Sequence, residues 1–121
     1  MDERKMLEIA ARVGGIDYAE YLPDDDRSVD EQFDDIIRSM WNPLRDNGDA
    51  FHLAVKLGMA VMTPDKDDPS VVVQWLQIND DGSDGEDVYV HEFVADYDGD
   101  PFAATRYAIV LATVEIEKIL I

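Results

Sequence analysis

The fold turns on residues 100–121, Asp100-Pro-Phe-Ala-Ala-Thr-Arg-Tyr-Ala-Ile-Val-Leu-Ala-Thr-Val-Glu-Ile-Glu-Lys-Ile-Leu-Ile121. Asp100 can accept from the first free N–H groups of a helix, and Pro101 suits the first helical position. Tyr107, Val110, Leu111, Val114 and Ile121 recur at helical spacing, and Ala108, Ile109, Ala112, Ile116, Ile119 and Leu120 widen that stripe. Only Arg106, Thr113 and Glu117 make a narrow wet strip. A helix apolar over most of its circumference is a central, buried element. The β-branched runs 109–114 and 116–121 offer a strand as the rival, but length, alanine content and the Asp-Pro start favour helix. Charged Arg106, Glu115, Glu117 and Lys118 bracket an apolar run far short of the roughly 20 residues a membrane span needs.

Upstream of this helix the period changes from helical to strand-like. Residues 59–63 read as a short strand, closed by the Pro64–Pro69 turn. Residues 71–78 form the strongest strand, with Val71, Val73 and Trp75 on one face and Val72, Leu76 and Ile78 on the other. Residues 79–87 read as an acidic, glycine-containing loop, and 88–95 as a third strand. Short connections imply an antiparallel meander. Because both faces of the middle strand are apolar, the sequence predicts cover on both.

Three further helices precede the sheet, and the cover available to it is the first helix, the Asp46 helix and the C-terminal helix. Asp2–Val13 carries an apolar face of Met6, Leu7, Ile9, Ala10 and Val13, and Gly14-Gly15 ends it. Ser28-Val-Asp-Glu31 is a capping box, and Phe33, Ile36, Ile37, Met40 and Trp41 follow at helical spacing until Asn42-Pro43. Asp46 or Asn47 caps a helix whose predicted buried face is Phe51, Ala54, Val55 and Leu57, stopped at Gly58. The fold class is therefore α+β. A three-stranded or slightly larger antiparallel sheet is covered by helices on both faces in an α/β/α sandwich, as one domain over 1–121.

Charge is the loudest feature. The chain has 28 acidic and 10 Lys and Arg residues, a formal charge of −18. The acid is clustered: residues 1–40 carry −7, residues 65–100 carry −11, and the remaining stretches balance. This disfavours direct binding to nucleic acid and favours a basic partner with fast, salt-sensitive association. The blocks that would engage it are Asp24, Asp25, Asp26, Asp30, Glu31, Asp34 and Asp35, then Asp80, Asp81, Asp84, Glu86 and Asp87. Tyr18, Trp41 and Tyr97, at element ends, are candidate half-exposed aromatic anchors. The competing reading is that the acid only confers solubility.

No catalytic set is legible. There is no cysteine, which removes disulfides and thiolate chemistry and suits a reducing compartment. His52 sits within a helix, and His91 and Glu92 are strand neighbours pointing to opposite faces. Two histidines without cysteine make a poor zinc set. Asp96-Tyr-Asp98-Gly-Asp100 alternates acids like a calcium loop, yet Pro101 and Tyr107 stand where Gly and Glu are needed. No serine lies in a nucleophile elbow, and no glycine-rich phosphate loop is present. The expectation is a protein that is not an enzyme, with no metal and no cofactor. The start Met1-Asp-Glu-Arg-Lys shows no signal peptide, which predicts a cytoplasmic protein with no membrane contact.

Two motifs resemble a known family. The first is Trp41-Asn-Pro-Leu-Arg-Asp-Asn-Gly-Asp-Ala-Phe-His-Leu-Ala-Val-Lys-Leu-Gly58, with Asn42-Pro43-Leu44, Asp49-Ala50 and Leu53–Leu57 at its core. The second is Asp100-Pro101, then Ala103–Arg106, then Ala108–Val110. Together they resemble the phage ABA sandwich domain family of small phage and prophage proteins. The resemblance implies the same sandwich and carries no catalytic role. The acidic segments 24–38 and 79–87 depart from the family pattern. The functions that remain are three. One is an interaction protein acting in the host cytoplasm, resembling nucleic acid in charge, with a host-takeover or anti-defence role. Another is a binder that sequesters a small ligand or signalling nucleotide, which would need Arg4, Arg12, Arg38, Arg45 and Arg106 to converge. The third is a structural or accessory phage protein. A homodimer is the other assembly the sequence allows.

Overall fold

A computed structural model of the chain describes residues 1–16 and 28–120. The elements run α1 (Glu3–Val13), α2 (Val29–Ser39), α3 (Asn47–Leu57), β1 (Ala60–Met62), β2 (Ser70–Ile78), β3 (Asp84–Phe93) and α4 (Pro101–Leu120), with a short 3₁₀ turn at Val94–Tyr97. Each helix starts where a side chain satisfies its free N–H groups. Asp2 accepts from Lys5, Ser28 from Glu31, and Asp46 from Asp49. Asp100 Oδ1 accepts from the N–H of Phe102 at 2.9 Å and of Ala103 at 3.2 Å, which anchors α4 as the Asp-Pro start predicts. Gly58, at φ 73°, closes α3 in the left-handed region that a side chain would resist.

The strands form a three-stranded antiparallel sheet in the order β1-β2-β3. Val73 pairs with Val61 on one side and Val90 on the other. Inward residues Val71, Val73, Val88 and Val90 are buried. They pack against α4, which also contacts α1 and α3. Helix α4 is thus the central element: Ala104, Ala108, Val110, Ala112, Thr113 and Ile116 are wholly shielded. Thr113 belongs to that core, not to a wet strip. Its hydroxyl is satisfied within the helix by donating to the Ile109 carbonyl at 2.9 Å.

The Asn42 side chain bridges the segment between α2 and α3. Asn42 Nδ2 donates to the Ile37 carbonyl at 3.1 Å, and its Oδ1 accepts from the Leu44 N–H at 3.0 Å. Its own N–H donates to Asp49 Oδ2 at 2.8 Å. The Asn-Pro-Leu and Asp49 positions of the first motif are therefore a joint between two helices. Trp75 makes a second joint, donating from Nε1 to the Leu57 carbonyl at 2.9 Å.

One further expectation needs correction, and another is not met among the described residues. The third strand begins at Asp84, so Asp84, Glu86 and Asp87 are strand residues; the loop is only the turn around Asn79–Ser83. A register shift between Leu76 and Ile78 absorbs the extra β3 residue. The second concerns cover. The helix cover expected on the outward sheet face is not seen among the described residues. Met62, Leu76, Ile78, Tyr89 and Phe93 are 45–60% exposed there.

Candidate functional site

Two surfaces of the described structure are apolar without being core. The first is the outward face of the sheet. Period-2 alternation sends Tyr89, His91 and Phe93 to one side of β3. Their rings form a row, with His91 centred 4.7 Å from Phe93 and 6.4 Å from Tyr89. Val72 lies opposite His91, and Met62 opposite Val72, across the ladder. Toward the hairpin end, Leu76 is paired with Asp87 and Ile78 with Asp84. The aromatic and aliphatic face therefore runs into carboxylates on the same strands.

The second surface is an open groove of about 640 Å³ between α3, β1 and the start of α4. Ala50 and Ala54 form its floor, and Phe51 and Val55 its lip. Met59 and Val61 line the sheet side; Phe102 and Arg106 line the α4 side. Phe51, Val55 and Phe102 are 69%, 63% and 62% exposed, so Phe51 and Val55 do not belong to the buried face of α3. That face is Ala50, Leu53 and Ala54. The signal was present in the sequence: α3 has more apolar residues than one stripe can hold, so some had to point elsewhere.

The acidic blocks are placed as follows. Asp24, Asp25, Asp26, Tyr18 and the side chain of Asp30 lie outside the described residues. Glu31 is exposed on the first turn of α2. Asp34 and Asp35 are engaged: Arg4 Nε donates to Asp34 Oδ1 at 2.7 Å, and Arg38 pairs with Asp35 at 3.5 Å. The second block is together and open. Asp80, Asp81, Asp84, Glu86 and Asp87 are all exposed along the β2–β3 hairpin. Asp81 accepts from the Ser83 hydroxyl and N–H, which holds its carboxyl below the ordinary range.

The aromatic anchors divide. Trp41 is 4% exposed, so the half-exposed ring expected at the end of α2 is instead core; the chain turns there and folds the indole inward. Tyr97 is half-buried against Tyr107, with ring centroids 5.5 Å apart, and its hydroxyl donates to Glu92 Oε2 at 3.2 Å. Burial, then the Glu92 carboxylate, raises its phenol well above the ordinary value of 10.0. The exposed aromatic side chains on the sheet are Tyr89, His91 and Phe93. Of these, Tyr89 and Phe93 show in the sequence as the face of β3 opposite Val88 and Val90.

Among the described residues no group of three or more His, Asp and Glu side chains could hold a metal ion. No described helix is long and apolar enough to cross a membrane. Compared with protein-family models, with curated proteins and with solved structures, the chain matches none.

Proposed function

We propose that this is a small acidic interaction protein without catalytic activity, which binds a basic protein surface. The observation that carries this reading is the join on β3: an exposed row of Tyr89, His91 and Phe93 continuing into Asp87 and Asp84, which pair with outward Leu76 and Ile78. An arginine-rich surface suits both halves. Guanidinium groups stack on aromatic faces and bind carboxylates with a two-pronged fork. The charge of −11 over residues 65–100 draws such a surface in and repels nucleic acid and a second acidic copy.

The motif resemblance to phage ABA sandwich proteins supports a phage or prophage origin and action in a host cytoplasm. The partner class is then a basic host protein, with its nucleic-acid groove as the surface engaged. That would be a host-takeover or anti-defence role. The nucleotide-sequestering reading gains no support from the arginines. Arg4, Arg12, Arg38 and Arg45 are each paired to a carboxylate on α1, α2 or α4. No observation favours a purely structural accessory role.

The test is capture of the tagged protein's partner from host lysate, followed by purified binding in a salt series. The expected partner is basic, is released by salt and is displaced by duplex DNA. The quintuple variant Asp80→Asn, Asp81→Asn, Asp84→Asn, Glu86→Gln and Asp87→Asn should lose most of the affinity while staying folded. Equal binding by that variant at low and high salt sinks the reading.

A further inference from the structure

We infer that the α3–β1–α4 groove is a binding site for a small amphipathic carboxylate, an apolar chain or ring system carrying one carboxylate end. This inference is independent of the acidic blocks and of the outward sheet face. Its first support is the groove itself. At about 640 Å³, with apolar floor and lip, it has the size and lining of a small-ligand site.

Its second support is Arg106, the one charged residue that lines the groove among the described residues. In a chain of charge −18, cations are expected to be taken up by carboxylates, and the other described arginines are. Arg4 pairs with Asp34 and Glu8, Arg12 with Glu117, Arg38 with Asp35 and Arg45 with Glu3. Arg106 alone among them is held by neutral oxygens. Its Nε donates to the Leu44 carbonyl at 3.0 Å, and its Nη1 to Asn47 Oδ1 at 2.6 Å. These two bonds fix the guanidinium plane but leave its charge unneutralised. They use two of the five N–H donors and leave three for a ligand. A fixed fork with spare donors beside an apolar trough is complementary to a carboxylate on an apolar body.

The same geometry sets the ligand's charge and class. One cation against the field of an acidic protein favours a single negative charge and works against nucleotides and other polyphosphates. The helix N-termini at this end are not competing anion sites, because Asp100 already caps α4 and Asp46 caps α3. The occupant is therefore a free monocarboxylate.

Calorimetry with decanoate, decanol and decylammonium on the full-length protein tests this. The expected order is decanoate, then decanol, with decylammonium weakest. Non-specific adsorption to a −18 protein gives the reverse order for the two ions, and that result overturns the site. Arg106→Gln should weaken decanoate about tenfold, the size of one lost charge-assisted bond, and leave decanol unchanged. Since Arg106 also holds Leu44 and Asn47, a second variant guards against misfolding. Val55→Asp puts a carboxylate on the exposed lip and should weaken decanoate more than decanol. Wild-type affinity for decanoate in both variants, or equal affinity for decanoate and decanol in the native protein, refutes the proposal.

Discussion

At the scale of single residues, side chains that close a polar joint carry more of the structure than their exposure suggests. Asn42 is partly exposed, yet its side chain ties the end of α2 to the turn before α3 through two hydrogen bonds. Asn42→Ala strands the Ile37 carbonyl and the Leu44 N–H, and should cost about 1–3 kcal/mol in urea unfolding. A loss under about 0.5 kcal/mol, the range of ordinary surface changes, would mean that the joint is not used. Tyr97 gives a residue-level dependence on pH. Its phenol is raised above 10.0, chiefly by burial and then by Glu92. The folded state therefore prefers the protonated phenol more than the unfolded chain does. The resulting stability is fully present below pH 10 and is lost as pH climbs from there toward the folded value. Wild-type protein should lose unfolding midpoint faster than Tyr97→Phe above that pH. The ultraviolet phenolate titration should show one tyrosine lagging, and that component should vanish in the variant. Parallel curves for the two proteins would contradict the raised value.

At the scale of elements, the sheet separates two kinds of apolar residue that look identical in sequence. Ile116 on α4 is wholly buried, whereas Ile78 on β2 is 60% exposed. Ile116→Ala should cost about 2–5 kcal/mol through lost burial and the cavity left behind. Ile78→Ala should stay within about 0.5 kcal/mol, because little is buried there. The comparison is made on urea midpoints at equal slope. A core-sized cost at Ile78 would mean that the outward face is covered in solution. The contrast also shows what was legible beforehand. The starts of the helices could be read because Asp2, Ser28, Asp46 and Asp100 announce them locally. The two faces of β2 are legible because alternation is a property of neighbours. What covers each face depends on how distant elements dock, and no local pattern reports that. Two apolar faces on β2 therefore read as two covered faces. Trp41 misled in the same way: a ring at a helix end is free or buried according to the direction of the following turn. The groove is not legible locally because its residues belong to separate patterns: Phe51, Ala54 and Val55 read as the buried face of α3, and Met59 and Val61 as the first strand. Arg106 is legible as part of the polar strip of α4, but its neutral partners at Leu44 and Asn47 appear only once α3 and α4 meet.

At the scale of the whole molecule, the excess of acid sets how stability responds to salt. With 28 acidic and 10 basic side chains, most carboxylates have no cation to pair with. The pairs that exist are partly or largely exposed, and such pairs contribute at most about 1 kcal/mol each. Salt weakens those attractions, but it also screens a larger number of repulsions. As the screening length falls from about 30 Å at 0.01 M to about 10 Å at 0.1 M, the second effect dominates. The unfolding midpoint should rise with sodium chloride over that range. Asp84→Asn with Asp87→Asn, which removes two exposed charges from the hairpin, should stabilise the free protein at low salt. That difference should shrink as salt is added. A destabilised double variant, or a difference indifferent to salt, would show that these carboxylates do not repel their neighbours. If they do, each costs the free chain stability, and the outward face supplies the reason for keeping them. Asp84 and Asp87 stand in register with Ile78 and Leu76, where a basic partner would neutralise the charge and cover the apolar side chains in one contact. The substitution that steadies the free protein must then weaken the complex, and the two effects should share one dependence on salt.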